Sequence, residues 1–233
     1  MWEKPIKKTL FTLNIDNAYD KRITDITYPF LKAYAHKIGA NFHIITERKF
    51  PDYPITYEKC QVYELGQQMN NDWNIFFDCD ALIHPDFMDI TNYLKKDMCA
   101  HNGVDLANVR WKYDRFFLRD GRNIGSPSWC CIASDWTIEL FKPADDMTLE
   151  EIEQRIFPIL NETKGGITPL RLIEDYVFSR NIAKYGLKFK TIDEKLKEVG
   201  YEGSSPFLWH NYNMPTDQKY VLLKQVLRNW GLE

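Results

Sequence analysis

Nothing in this chain reads as a membrane anchor. No run of about 18 apolar residues occurs, and Met1-Trp2-Glu3-Lys4-Pro5 lacks the apolar core of a secretory signal. The expectation is a soluble, cytoplasmic protein. A surplus of one charge is also missing. Thirty Lys and Arg stand against 33 Asp and Glu, a formal net charge of -3, which gives no general attraction to nucleic acid or an anionic surface. Any phosphate-bearing ligand must therefore be held by a local device. The five cysteines, Cys60, Cys79, Cys99, Cys130 and Cys131, show no C-x-x-C spacing. They indicate neither a zinc site nor a disulfide framework and favour a reducing compartment, in which the sequon Asn161-Glu162-Thr163 is irrelevant. There is no internal repeat, linker or low-complexity segment, and 233 residues with 44% apolar content suit one domain over residues 1–233.

What is present is a succession of strand and helix patterns. Residues 9–15 form a β-rich apolar run whose end, Asn14-Ile15-Asp16-Asn17, suits a turn. Ile26, Phe30, Tyr34 and Ile38 then recur at helical spacing with Gly39 in the stop position, and residues 41–46 read as a second strand. This order is a βαβ unit, which calls for a parallel sheet. Thr56 is placed to cap a helix carrying Val62, Leu65 and Met69 on one face, and residues 74–77 follow as a third strand. Further on, residues 129–134 read as a buried strand. Thr148-Leu149-Glu150-Glu151 is a capping box opening a helix that Pro158 disturbs or ends. Gly165-Gly166 precedes a helix that reaches Gly186, residues 187–191 alternate as a half-exposed strand, and residues 220–230 form an amphipathic helix. The fold class expected is α/β, with a mostly parallel central sheet flanked by helices.

The chemistry concentrates in Asn74-Ile75-Phe76-Phe77-Asp78-Cys79-Asp80-Ala81-Leu82-Ile83-His84. Apolar residues run into two carboxylates one residue apart, and apolar residues follow, so the acids sit where a buried strand surfaces. Successive side chains of a strand alternate faces, which puts Asp78 and Asp80 on the same side. Such carboxylates repel, and each raises the other's pKa unless a cation lies between them. A divalent metal is the simplest account. The ordinary alternative is an acidic turn at a strand end, weakened here because charge that close to a core needs a partner.

Ligands of open α/β sheets bind at the C-terminal strand ends. Thr12, Asn14 and Asp16, at the end of the first strand, share that edge and are candidates for nucleotide contact; turn formation explains the last two equally well. The stretch Trp111-Lys112-Tyr113-Asp114-Arg115-Phe116-Phe117 mixes charge with aromatics, as binding loops and surface-packed aromatics both do.

As an ordered set, the βαβ opening, Asp78-Cys79-Asp80, Glu174-Asp175 at the start of a late helix, and His210 in Phe207-Leu208-Trp209-His210-Asn211-Tyr212-Asn213 resemble the GT-A glycosyltransferases over roughly residues 9–219. The set looks most like family 34-type and family 8-type enzymes and is similar to the compact GT-A domains of large algal viruses. The resemblance implies a single GT-A (Rossmann-like) domain that moves a sugar from a nucleotide diphosphate donor, a UDP-sugar favoured, to a glycan or other hydroxyl acceptor. It also implies Mn²⁺ or Mg²⁺ held by Asp78, Asp80 and His210, an oxygen and nitrogen set that suits Mn²⁺ at least as well as Mg²⁺. For His210 the alternative is a hydrogen-bonded histidine of an aromatic cluster.

Glu174 and Asp175 match the family's catalytic acids, with Asp175 preferred as the base; the alternative is an acidic first turn that complements the helix dipole. Lys59 and Lys219 are candidates for nucleotide or diphosphate contact, set against ordinary solvated lysines. The resemblance also makes Trp111, Tyr113, Phe116 and Trp129 candidate faces for an acceptor sugar. The chain departs from the pattern in Cys79, where Ala is frequent, and in lacking the H-x-x-G-x-x-K-P ending.

Three other classes compete. Asp78-Cys79-Asp80-Ala81-Leu82 is similar to the D-x-D of haloacid dehalogenase-type phosphatases, but that motif ends in Thr or Val where this chain has Leu82, and it lies on the first strand. A sugar nucleotidyltransferase would carry a Gly-rich, Arg- and Lys-bearing loop, which is missing from residues 13–22. A non-catalytic GT-A domain that binds a nucleotide-sugar or glycan is opposed by the presence of both aspartates, the histidine and the Glu-Asp pair.

Overall fold

The computed structural model describes residues 5–102, 129–156, 169–211 and 214–233. The candidate sugar faces Trp111, Tyr113 and Phe116, and with them the sequon, Pro158 and Gly165-Gly166, lie outside the described residues. The strands in chain order are β1 (Lys8–Leu13), β2 (Ala40–Ile45), β3 (Trp73–Phe77), β4 (Leu82–Ile83), β5 (Met98–His101), β6 (Cys130–Ser134), β7 (Lys188–Thr191) and β8 (Leu208–Trp209). Six of them form one sheet in the order β2-β1-β3-β6-β5-β7. β1 pairs in parallel with β2 and β3, β5 pairs in parallel with β7, and β6 runs antiparallel to both its neighbours. Five strands therefore point one way, which is the mostly parallel α/β sheet that the strand and helix order predicts.

Side-chain alternation along the central strands sorts the core into two layers. Phe11, Leu13, Phe76, Cys131 and Ala133 face one side, packed with Tyr57, Val62, Ile173, Val177 and Ile182. Leu10, Ile75, Phe77, Cys130 and Ile132 face the other, packed with Leu31, Tyr34, Ile192 and Leu196. Residues of β1, β3 and β6 are buried throughout, as in strands of a sheet covered on both faces.

The helices that cover the sheet are α1 (Lys21–Lys37), α2 (Gln61–Gln68), α3 (Leu149–Glu153), α4 (Ile173–Lys184), α5 (Ile192–Glu198) and α6 (Thr216–Asn229). Gly39 follows α1 at φ 66°, the left-handed conformation that glycine adopts at a helix end without steric cost. Thr148 and Glu151 make the predicted capping box of α3. Thr56 does not cap α2. It sits inside a 3-10 helix, Ile55–Cys60, that runs into α2, and its hydroxyl donates to Glu174 Oε2 at 2.8 Å.

Two features position the site. α6 docks on α1 through a small separate core of Ile23, Leu82, Leu223 and Leu227. β4 pairs antiparallel with β8, Leu82 opposite Trp209 and Ile83 opposite Leu208. Continued by one residue, that register sets His210 across from Ala81, beside Asp80.

Candidate metal centre

β3 ends at Phe77, and Asp78-Cys79-Asp80 belongs to the turn that follows it, where the Ala81 amide donates to the Asp78 carbonyl at 3.1 Å. Strand alternation is thus not what brings the two acids together, contrary to the sequence expectation. The turn does so, and its backbone is anchored: the Asp78 amide donates to the Trp129 carbonyl at 2.9 Å and the Thr27 hydroxyl to the Cys79 carbonyl at 2.5 Å.

Each aspartate shows one oxygen to His210 and gives the other to a buried lysine. His210 Nε2 lies 3.6 Å from Asp78 Oδ2 and 3.1 Å from Asp80 Oδ1. Lys59 Nζ is 3.0 Å from Asp78 Oδ1, and the Lys219 ammonium pairs with Asp80 Oδ2. Tyr19 adds a hydrogen bond to that same Asp80 oxygen at 2.5 Å, and the Lys219 ammonium is 3.3 Å from the Tyr19 hydroxyl. His210 stacks on Trp129 at 5.1 Å between ring centroids, so the aromatic packing weighed as its alternative is present together with the facing carboxylates. Its Nδ1 is buried with no hydrogen-bond partner among the described residues.

The electrostatics follow from these contacts. Burial opposes ionisation of Asp80, but the hydrogen bond and charge of His210 and the Lys219 ammonium outweigh it and hold the carboxyl well below the usual range. Burial likewise works against the charge on Lys59, and the carboxylates of Asp78, Glu174 and Asp175 overcome it, keeping the ammonium protonated. Lys59 Nζ also lies 3.6 Å from Glu174 Oε1 and 5.4 Å from the centroid of the Phe76 ring. Glu174 is pushed up to about 7, first by burial and then by the charge of Asp175, while Lys59 and the Thr56 hydroxyl pull the other way.

Two oxygens and one nitrogen that converge in this way fit a divalent ion. Ligands at right angles around an ion with ~2.1 Å bonds lie about 3 Å apart, and the three residues can each offer one atom so that all lie within 4.8 Å of one another. Lys59 and Lys219, the candidates for nucleotide or diphosphate contact, are enclosed, at 3% and 5% exposure. Lys59 lies on the 3-10 helix before α2, and Lys219 lies in α6.

At the end of β1, Thr12 is buried with its hydroxyl unpartnered among the described residues. Asn14 spends its amide on the loop, accepting from the Tyr19 amide at 2.9 Å and donating to the Tyr28 hydroxyl at 2.9 Å. Asp16 is exposed at φ 54° in the short 3-10 turn that follows. Tyr19, Thr56 and the packing of Trp129 on His210 are site contributions that the sequence reading did not contain. None has a local signal, because each partner is distant in the chain.

No protein-family model and no curated protein sequence matches this chain. Among solved structures it is similar to a glycosyltransferase involved in the glycosylation of the major capsid of PBCV-1, with a TM-score of 0.51 and 10% sequence identity over 94% of this chain and 100% of that one. A Drosophila β-1,4-galactosyltransferase 7 mutant, in complex with manganese, UDP-Gal and xylobiose, aligns at a TM-score of 0.47 and 9% identity over 89% of this chain and 72% of the other. The first likeness establishes a GT-A-like glycosyltransferase fold. Among the described residues no helix is long and apolar enough to cross a membrane.

Proposed function

We propose that the chain is a metal-dependent glycosyltransferase that moves a sugar from a nucleotide diphosphate donor, a UDP-sugar by preference, to a glycan or other hydroxyl acceptor. The observation that carries this reading is the convergence of Asp78 Oδ2, Asp80 Oδ1 and His210 Nε2 on one point at the C-terminal edge of a GT-A-like sheet. These three residues would hold Mn²⁺ or Mg²⁺. An ion there supplies neutralisation of the charge that grows on a departing diphosphate.

The chain's own residues do the rest. The end of β1 receives the nucleoside: Asn14 shapes the loop, Asp16 is the group free to meet a ligand, and Thr12 offers a hydroxyl beneath them. Of the two acids in the first turn of α4, Asp175 is the preferred proton acceptor for an incoming hydroxyl, and Glu174 is tied to Lys59 and the Thr56 hydroxyl. The charge of Asp175 adds to burial in raising the Glu174 pKa. The family 34 and family 8 likeness and the cytoplasmic setting belong to this same reading, with a domain covering residues 1–233 and five buried cysteines in keeping with a reducing compartment.

Calorimetric titration with UDP, in Mn²⁺ and in chelator, tests the proposal. Mn²⁺ is expected to tighten UDP binding at least ~tenfold, and Asp78→Asn and Asp80→Asn to abolish the gain while a panel of UDP-sugars identifies the donor. UDP binding indifferent to Mn²⁺ and to both substitutions would overturn it.

A further inference from the structure

Every carboxylate oxygen of the aspartate pair that does not face His210 is occupied by a lysine. Lys59 and Lys219 come from opposite ends of the chain, one from the 3-10 helix before α2 and one from α6, yet they meet the two acids in the same way. Neither ammonium has room to leave. Lys59 lies over Phe76 and is shared with Glu174, and Lys219 touches Tyr19 on a helix fixed to α1 by the Ile23, Leu82, Leu223 and Leu227 cluster.

Their charges equal those of Asp78 and Asp80 in number and oppose them in sign. Lys59 is drawn on by Glu174 and Asp175 as well, so the undivided counter-charge is the one that Lys219 sets on Asp80. A divalent ion placed among the inner oxygens and His210 would meet two fixed positive charges at short range, and their repulsion offsets part of the aspartates' attraction. An anion bound beside the ion removes that penalty.

We propose that Lys59 and Lys219 are resident counter-charges that keep the aspartate pair from taking a divalent ion by itself, so that the ion enters together with an anionic donor. This rests on the reading of Asp78, Asp80 and His210 as a metal centre. The two lysines are positioning residues. By tying the outer oxygens they leave each aspartate one oxygen for the ion, and by their charge they make its affinity depend on the diphosphate.

Mn²⁺ binding to the full chain, followed by electron paramagnetic resonance with no nucleotide, with uridine and with UDP, tests this directly. In the parent chain Mn²⁺ alone should bind weakly, uridine should change nothing, and UDP should tighten binding. Lys219→Met and Lys59→Met should each tighten binding of Mn²⁺ alone by about tenfold or more, while Lys219→Arg, which keeps the charge, should not. A lysine serving only as a structural prop predicts the reverse, because its removal would loosen the aspartates and weaken the ion.

Methionine variants that remain folded by circular dichroism and bind Mn²⁺ no better than the parent chain would overturn the proposal. So would tight Mn²⁺ binding to the unmodified chain without nucleotide, a measurement that needs no variant to fold. Tightening in the methionine variants with UDP without effect would support the lysine role and overturn the donor reading, so the two failures are distinguishable.

Discussion

Asp78 and Asp80 stand one residue apart on the same turn and carry the same side chain, but they occupy different surroundings. The Asp78 side chain is 23% exposed and has one lysine at 3.0 Å. The Asp80 side chain is 7% exposed and is gripped by Lys219, Tyr19 and His210. The difference follows the cost of burying charge. Water still hydrates Asp78, whereas Asp80 has exchanged nearly all its water for protein donors and depends on them.

The largest expected effect follows from that contrast. Asp80→Ala leaves the Lys219 ammonium buried without its counter-ion, a loss of roughly 3–5 kcal/mol. Asp78→Ala leaves Lys59 with Glu174 at 3.6 Å and should cost about 1 kcal/mol. Urea denaturation at neutral pH measures both. Adding Lys219→Met to Asp80→Ala should return at least half of the lost stability, since the pair is removed together. Equal losses in the two alanine variants would break the comparison and show that exposure does not govern the acids' dependence on their partners.

Much of the fold was legible because burial acts on local pattern. Short segments rich in apolar and β-forming residues marked β1, β3 and β6, and Thr148 with Glu151 marked the start of α3. Thr191 and Glu194 form a second capping box that opens α5, and that signal lay in the sequence unread. β4 and β8, with two residues each, are too short for any periodicity to reveal, yet their pairing is what carries His210 to the acids.

Of the metal triad, Asp78 and Asp80 were legible as two carboxylates one residue apart beside a buried run, and His210 only through the resemblance of an ordered set. Of the groups that hold it, Lys59 and Lys219 were singled out, though for a diphosphate and not for the aspartates, and Tyr19 and Thr56 were not read as part of the site. Tyr19 reaches Asp80 across 61 residues, Thr56 reaches Glu174 across 118, and Lys219 reaches Asp80 across 139. Side chains that far apart in sequence leave no mark on spacing, and their solitary lysines and tyrosines look like ordinary surface residues until the sheet brings them together.

The comparison extends to pH through Glu174, which shares Lys59 with Asp78. Its pKa is raised from 4.5 to about 7. As pH rises between those values the unfolded chain releases a proton that the folded chain retains, so folding stability falls across that window. The loss should be on the order of 2 kcal/mol. Glu174→Gln has no proton to release and should flatten the dependence. Denaturant midpoints at about pH 5 and about pH 7.5 check this. A parent chain as stable at the higher pH as at the lower would show that Lys59 serves Glu174 as fully as it serves Asp78, and that the buried acid is ionised throughout.

The smallest effect separates the two groups on Asp80 Oδ2. Tyr19 donates to it at 2.5 Å, and burial together with the charge of Asp80 pushes the phenol far above its ordinary pKa, so it remains a donor at every pH the fold survives. Tyr19→Phe removes that donor and leaves Lys219 in place. An acceptor that keeps a charged partner suffers only the net loss of one hydrogen bond, about 1 kcal/mol, a fraction of what Asp80→Ala costs. Thermal or urea denaturation of the phenylalanine variant measures it. A loss as large as that of Asp80→Ala would mean that the phenol, and not the ammonium, fixes the carboxylate. The two lysines would then lose their equivalence, with Lys59 holding Asp78 by charge and Asp80 held by a neutral hydroxyl from the loop after β1.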